Sequence, residues 1–251
     1  MTISTPGNRY DINQLAAPGR HVFDGGTVQR PIPTVVFTPE GKLQGVILAC
    51  HGGTGHKEAN SIQAITGHFH KLGYVVVAID GPVHGARRSD GNLDPTVAIT
   101  AFRQAWKEGV GRTEMADDFV HTLNTIMQVP AFSTLPVGYI GVSMGTAYGI
   151  PFLAKERRIR AAVIGLWAST YAASEHLLDY APDVCCPVWF TQQWHDQAFD
   201  HAGTHALFDA IGSEDKRLVA YPGPHLELQG ERLGDAVEFL DRKMQQQVHA
   251  D

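Results

Sequence analysis

Short apolar runs alternate along this chain with stretches whose apolar residues recur at helical spacing. The first two runs, 20–29 and 32–41, meet near Arg30–Pro31 and predict a hairpin. Later apolar runs predict buried strands at 45–53, 74–80, 137–142, 159–169, 186–194 and 216–223. Helical spacing predicts helices at 58–72, 115–127, 198–211 and 231–246, and a further helix after the strand 137–142. In the first helix, the residues on one apolar face are Ile62, Ile65, Phe69 and Leu72.

Strands that alternate with helices predict an α/β fold with a mostly parallel sheet covered on both faces. The sequence has no internal repeat, low-complexity tract or linker, so residues 1–251 are expected to form one domain. The longest excursion is 81–114, which has room for a short helix around 98–106 that overhangs the sheet edge. Segment 170–184, by contrast, is too short for a lipase-type cap.

Composition and charge exclude several classes of function. A chain of 251 residues with 43% hydrophobic and 18% charged residues is typical of a globular protein. The net charge of −6 gives no basic field for a nucleic acid. No signal-like segment begins the sequence and no long apolar run follows, so we expect a cytoplasmic protein without a membrane span. Cys50, Cys185 and Cys186 are then expected to be buried thiols.

The stretch "YIGVSMGTAYG" (139–149) places a serine on a sharp turn between a strand and a helix. Ser143 stands between Gly141 and Gly145, where any Cβ would obstruct the reversal of the chain. The following helix must accommodate Pro151 near its start or kink there. By itself, the pattern fits either a nucleophile or a glycine-rich turn.

Polar residues follow several of the predicted strands, and the carboxyl ends of parallel strands share one edge of a sheet. The residues expected at this edge are the loop 51–55, Asp80, Ser143, Trp167, Asp196 and His225. A serine, a histidine and a carboxylate at one edge are the components of nucleophilic acyl transfer. This convergence favours the catalytic interpretation of the serine.

The motifs "HGGTGHKE" (51–58) and "AIDGPVHGAR" (78–87), together with the serine turn, resemble the α/β-hydrolase superfamily over about residues 20–245. The chain looks most similar to the small dienelactone-hydrolase-like serine esterases. The resemblance implies that Ser143 is the nucleophile, that His225 is the base and that Asp196 orients the histidine. It also implies hydrolysis of a small carboxylic ester, lactone or thioester through an acyl-enzyme, without a metal or organic cofactor.

The same resemblance implies an oxyanion hole formed by backbone N–H groups. One donor is expected from Met144, directly after the nucleophile. The second is assigned to Gly53, with Thr54 as the alternative. Thr54, Trp167 and His84 are the candidates for contact with the substrate, although an aromatic residue at a strand end is equally consistent with plain packing.

Several alternatives remain open. Arg87 or Arg88 is positioned either to pair with a substrate carboxylate or to anchor its loop through Asp80 or Asp90. His201 and His205 have metal-ligand spacing beside Asp200, but a third ligand is not evident, which favours a solvated helix face. The alternative acids of the triad are Asp179, Asp183 and Asp200. Alternative functions are amide hydrolysis, C–C bond cleavage and ligand binding without catalysis. The sequence does not fix the oligomeric state.

Overall fold

The computed structural model describes residues 2–5, 8–27 and 29–246. Its strands are β1 (Thr2–Thr5), β2 (Asn8–Asp11), β3 (Gly19–Asp24), β4 (Pro33–Thr38), β5 (Gly45–Ala49), β6 (Tyr74–Ile79), β7 (Val137–Ile140), β8 (Ile159–Gly165), β9 (Val188–Gln193) and β10 (Lys216–Tyr221). Its helices are α1 (Asn60–His70), α2 (Pro95–Lys107), α3 (Glu114–Ile126), α4 (Met144–Lys155), α5 (Leu177–Tyr180), α6 (His201–Ala210) and α7 (Glu231–Gln246). Short 3₁₀ segments cover 12–16, 85–87 and 181–183.

Eight strands form one sheet in the order β10-β9-β8-β7-β5-β6-β4-β3. The six strands from β5 to β10 are parallel, whereas β3 and β4 form the antiparallel hairpin expected at the start of the chain. Val28, within the first predicted run, lies outside the described residues. β6 and β7 flank β5 on opposite sides, so the strand order reverses at β5. Such a reversal opens a crevice at the carboxyl ends of the strands.

The continuous apolar strands are explained by cores on both faces of the sheet. Along β5, Val46 and Leu48 pack into one core while Ile47 and Ala49 pack into the other. Because successive side chains of a strand point to opposite faces, a strand covered on both sides is apolar at every position. Helices α1 and α7 contribute to one core, and α2, α3, α4 and α6 contribute to the other. The prediction of a mostly parallel sheet with helices on both faces is confirmed.

Two local predictions were wrong: that Leu72 extends the apolar face of the first helix, and that Cys185 and Cys186 are buried. Helix α1 stops at His70, and the chain reverses at Gly73, whose φ is +82°. Leu72 therefore lies in the turn with 38% of its surface exposed, instead of extending the apolar face. Strand β9 begins at Val188, so Cys185 precedes it and is exposed, and Cys186 is only half-buried.

Two helices differ from their sequence predictions in length or regularity. Helix α2 begins three residues before the predicted 98–106, because Asp94 caps its N-terminus by accepting from the N–H groups of Thr96 (2.8 Å) and Val97 (3.2 Å). Helix α4 continues through Pro151, which lies in its second half. Within the described residues, no helix combines the length and apolarity needed to cross a membrane.

Candidate active site

Ser143 lies on a strained turn between β7 and α4. Its backbone has φ 58° and ψ −121°, a conformation that a residue with a side chain rarely adopts. A Cβ on Gly141 would lie 2.7 Å from the hydroxyl oxygen of Tyr139, and one on Gly145 would lie 3.2 Å from the carbonyl oxygen of Cys50. Both glycines are therefore required by the close packing of this turn, as the sequence predicted.

The turn is fastened to the end of β8 by hydrogen bonds. The Ser143 N–H donates to the carbonyl oxygen of Gly165 at 2.9 Å, and the Gly165 N–H donates to Thr146 Oγ1 at 2.7 Å. Thr146 is fully buried, so these bonds are shielded from water. They hold the serine in place despite its unfavourable backbone geometry.

His225 lies between Ser143 and Asp196 and contacts both. Its Nδ1 is 2.8 Å from Asp196 Oδ2, and its Nε2 is 3.1 Å from Ser143 Oγ. An ionised carboxylate only accepts, so Nδ1 carries the proton and Nε2 is free to accept the serine hydroxyl proton. The three side chains thus have the mutual geometry of a nucleophile, a base and an orienting acid.

The surroundings of Asp196 keep it ionised. Burial opposes its ionisation, but the hydrogen bond and charge of His225 outweigh this effect, together with backbone N–H donors from Ala198 (2.8 Å) and Phe199 (3.1 Å). The pKa of the Asp196 carboxyl is consequently lowered. Its side chain is 4% exposed, against 23% for His225, so the carboxylate lies behind the imidazole.

The alternative acids occupy other positions. Asp200 caps α6, accepting from the Gly203 N–H at 2.8 Å, and also accepts from the hydroxyl of Thr170. Asp179 lies in α5 and Asp183 in the 3₁₀ segment that follows it. Of the four carboxylates considered from the sequence, Asp196 is the one hydrogen-bonded to His225.

Two buried histidines hold the loop that follows β5. His51 Nε2 accepts from the Gly81 N–H at 3.0 Å, so its Nδ1 carries the proton and donates to the carbonyl oxygen of Gly52 at 2.8 Å. His84 Nε2 donates to the carbonyl oxygen of Gly53 at 3.0 Å. Burial lowers the pKa of both imidazoles and favours their neutral forms.

Each histidine therefore orients one candidate oxyanion donor. The Gly52 carbonyl shares a rigid peptide plane with the Gly53 N–H, and the Gly53 carbonyl shares one with the Thr54 N–H. Within the described part of the chain, neither N–H group has a hydrogen-bond acceptor. Across the site, Met144 is the first residue of α4, where backbone N–H groups lack helical partners.

The assignment of His84 to substrate contact is corrected by these bonds. The ring is fully buried, does not line the cavity beside Ser143, and packs against His51 at 4.9 Å between ring centroids. The His84 ring lies on the side of loop 51–55 that faces away from the cavity, whereas the substrate would lie on the cavity side. A buried ion pair reinforces the same region: Lys57 donates from both its backbone N–H and its Nζ to Asp80, each at 2.8 Å.

A cavity of about 310 Å³ lies beside Ser143 and His225. Much of its wall is aromatic: Phe102, Trp167, Tyr171 and Phe199. Trp167 combines both roles considered from the sequence, since it lines the cavity while 1% exposed and donates from Nε1 to Ser174 Oγ at 3.1 Å. Helix α2 contributes Ile99, Phe102 and Arg103, so the excursion 81–114 forms part of the wall. Thr54 also lines it.

The arginines considered from the sequence anchor loops instead. Arg87 pairs with Asp118 at 2.8 Å, and Arg88 pairs with Asp90. The charged residues that do line the cavity, Arg103 and Glu227, were missed. Glu227 had an available signal, because it follows His225 by two residues in the same loop. Arg103 had none, because the sequence does not reveal which face of α2 meets the cavity.

His201 and His205 point to separate partners. His201 Nε2 is 3.0 Å from the carbonyl oxygen of Trp194, and His205 Nε2 is 3.1 Å from Gln192 Oε1. Over the ranges 2–5, 8–27 and 29–246, no group of three or more His, Cys, Asp or Glu side chains is arranged to hold a metal ion.

Comparison with known proteins identifies the family to which this architecture and site correspond. The family model described as "Dienelactone hydrolase family" matches residues 32–225. No curated protein sequence matches the chain. A solved structure of a cold-adapted esterase from an Arctic intertidal metagenomic library is 31% identical, with a TM-score of 0.78. That match covers 89% of this chain and 92% of the esterase.

More distant structures share the fold. A dienelactone hydrolase from Anabaena variabilis is 16% identical with a TM-score of 0.67, over 91% of this chain and 98% of its own. A highly thermostable carboxyl esterase from Bacillus coagulans is 14% identical with a TM-score of 0.66, over 91% and 100%. The expected α/β-hydrolase fold is therefore confirmed.

Proposed function

The chain belongs to the dienelactone hydrolase family and is a carboxylic ester hydrolase; on this premise we propose that it cleaves small esters through an acyl-enzyme formed on Ser143. The observation that carries the proposal is the pair of contacts made by His225, 3.1 Å to Ser143 Oγ and 2.8 Å to Asp196 Oδ2. An unassisted serine hydroxyl is a weak nucleophile at neutral pH, and this arrangement supplies the base that it needs.

In the first half of the reaction, Ser143 Oγ attacks the ester carbonyl carbon while its proton passes to His225 Nε2. The negative charge that develops on the carbonyl oxygen is stabilised by the backbone N–H groups of Met144 and Gly53. The intermediate then expels the alcohol oxygen, which takes the proton from Nε2. Asp196 stabilises the imidazolium and keeps its ring in the required orientation.

In the second half, water replaces the alcohol. His225 Nε2 accepts a proton from the attacking water, which adds to the acyl carbon, and then returns the proton to Ser143 Oγ as the acid leaves. No step uses a metal or an organic cofactor. The aromatic cavity next to Ser143, with a volume of about 310 Å³, is suited to an apolar acyl chain.

A fluorophosphonate probe tests the nucleophile directly. We expect the probe to label the wild-type protein once, at Ser143, and to leave Ser143→Ala unlabelled and inactive on p-nitrophenyl butyrate. Ser133→Ala, at an exposed loop position, is the matched control and should label normally. Labelling and turnover in Ser143→Ala would assign the nucleophile elsewhere, and absence of both from the wild-type protein would indicate a ligand-binding protein.

A further inference from the structure

A second depression, a groove of about 440 Å³, adjoins the catalytic cavity. The two share Thr54 and Glu227 as wall residues, so the groove begins beside the oxyanion loop. Unlike the aromatic cavity, it is lined by polar side chains at several positions, Asn60, Ser61 and Gln229 among them, and by the carboxyl of Glu58, which is paired with Arg20. The mechanism proposed above makes no use of this groove.

Glu227 is the charged residue at the junction of the two spaces. Leu226, beside it, is held by Gln193, which accepts from the Leu226 N–H at 2.6 Å and donates to its carbonyl oxygen at 2.8 Å. The Glu227 carboxyl reaches over the oxyanion loop, so that a Cβ on Gly52 would lie 2.1 Å from its Oε1. The Gln193 bonds therefore hold the backbone from which the Glu227 side chain extends over the oxyanion loop.

Among the described residues, Glu227 makes no hydrogen bond or ion pair. Burial raises the pKa of its carboxyl, and the charge of His225 offsets this only in part. The residue is half-buried and lines both depressions, so a ligand hydroxyl can take the place of water as the hydrogen-bond partner of its carboxyl. An unpartnered carboxyl at the edge of a catalytic cavity is therefore suited to contact with the substrate.

The chemistry of the surroundings selects a neutral hydroxyl as that partner. A hydroxyl donates to a carboxylate and also accepts from a protonated carboxyl, so it pairs with Glu227 in either form. An anionic group would be repelled by the carboxyls of Glu227 and Glu58, which both line the groove, and Glu58 is already paired with Arg20. Asn60, Ser61 and Gln229 offer further donors and acceptors to neighbouring hydroxyls.

The position of Glu227 relative to His225 assigns the groove to one part of the substrate. In the proposed mechanism His225 protonates the departing oxygen, so the alcohol lies on the side of the histidine and of the loop that carries it. Glu227 follows His225 by two residues and leads from the cavity into the groove. The aromatic cavity then remains for the acyl chain.

We propose that the groove is the leaving-group subsite and that it takes a neutral polyhydroxylated alcohol, one hydroxyl of which is bonded to Glu227. The inference rests on the proposed function. The Ser143 Oγ–acyl bond forms as the ester C–O bond breaks, and the alcohol leaves with the proton from His225 Nε2. Substrates of this class are short-chain acyl esters of glycerol or of a sugar.

Two esters of equal carbon number test the subsite: 1-glyceryl butyrate and n-propyl butyrate. Each kcat/KM is divided by the rate constant for alkaline hydrolysis, which removes intrinsic reactivity. We expect the wild-type enzyme to favour the glyceryl ester at least about tenfold, because two net hydrogen bonds contribute roughly threefold to tenfold each. Glu227→Leu should reduce this preference about fivefold or more, and Glu227→Gln, whose amide still accepts, should retain most of it.

Glu40→Leu, an exposed site beyond the far end of β4, is the matched control and should keep the wild-type preference. Fluorophosphonate labelling reports whether each variant is folded, and Asn60→Ala/Ser61→Ala replaces Glu227→Leu if the latter does not label. A wild-type ratio of one, or a ratio unaffected by the groove variants, would overturn the subsite. Hydrolysis of both esters by Ser143→Ala would instead overturn the proposed function.

Discussion

The ring of His51 makes two hydrogen bonds of different kinds, and amide side chains can replace them one at a time. Nδ1–H donates to the Gly52 carbonyl at 2.8 Å, whereas Nε2 accepts from the Gly81 N–H at 3.0 Å. Asparagine carries its amide at the level of Nδ1, and glutamine carries it at the level of Nε2. We therefore predict that His51→Asn preserves the bond to the loop and that His51→Gln preserves the bond to Gly81.

The expected losses of kcat and of stability follow from the group that each hydrogen bond positions. Loss of an oxyanion donor costs about 10²–10³ in kcat. In His51→Gln the Gly55 N–H still restrains the Gly52 carbonyl at 3.0 Å, so we expect a smaller loss of kcat, about tenfold. In His51→Asn the buried Gly81 N–H is left unpaired, which costs about 1–3 kcal/mol of unfolding free energy, or roughly 2–10 °C in Tm.

The assay is kcat and KM on p-nitrophenyl butyrate, with Tm from calorimetry. His84 supplies the matched pair: His84→Gln keeps the donor to the Gly53 carbonyl and His84→Asn loses it. Because that peptide carries the Thr54 N–H, His84→Asn should lower Tm and leave kcat near the wild-type value if Gly53 is the oxyanion donor. The reverse result, with kcat lost in His84→Asn and kept in His51→Gln, would transfer the role to Thr54. Equal loss of kcat in both His51 variants would refute the tautomer.

Other predictions concern the acid, the substrate, metal ions and a buried ion pair. Asp196→Asn should lower kcat about 10³–10⁴-fold by disturbing the imidazole tautomer, whereas Asp200→Asn should lower only Tm; the opposite order in steady-state kinetics would change the assignment. p-Nitrophenyl butyrate should be hydrolysed far faster than the palmitate, since each methylene beyond the cavity forgoes about 0.8 kcal/mol of burial; a rate jump above the critical micelle concentration would contradict this. Prolonged dialysis against EDTA should leave the rate unchanged, and recovery of a lost rate with zinc would disprove it. Lys57→Met should cost up to about 3–5 kcal/mol at pH 7, because it removes the cationic partner of the buried Asp80 carboxylate and leaves only the backbone N–H donors of residue 57 and Ala86. Burial opposes the ionisation of Asp80, but the bonds from Lys57 outweigh it and lower the pKa of Asp80 in the folded protein. The stabilisation is therefore complete above the usual pKa of 3.8 and is lost as pH falls below that value. The deficit of the variant in chemical denaturation should therefore shrink in acid, and a deficit that persists there would count against this explanation.

Much of the scaffold could be predicted because its causes are local in sequence. A strand covered on both faces must be apolar at every position, so β5 and β6 could be predicted from continuous apolar runs in the sequence. The turn at Ser143 needs glycines two residues away on either side, and the sequence shows both. Because carboxyl ends of parallel strands share an edge, Asp196 and His225 could be placed at the same edge as Ser143, and the family resemblance selected them as acid and base.

The remaining features depend on packing across the molecule. Position after β6 indicated that His84 is near the site, but the sequence carries no sign of whether the ring faces the cavity or the back of the loop. The same limit applies to Arg103, because the sequence of α2 predicts the apolar face of the helix but not the part of the molecule against which that face packs. Leu72 continued the helical spacing of α1, yet the reversal at Gly73 removed it from the core.

The division of the cavity wall between the sheet edge and α2 has a consequence for how specificity can change. The reacting groups follow β7, β9 and β10, whereas Ile99, Phe102 and Arg103 come from one helix inside a single excursion. That helix begins at its own cap, Asp94. Substitutions on its inner face therefore alter which acyl group fits without moving the atoms that react. In the proposed mechanism, acyl preference can therefore change through mutations confined to one short segment of the chain, while the reacting groups stay the same.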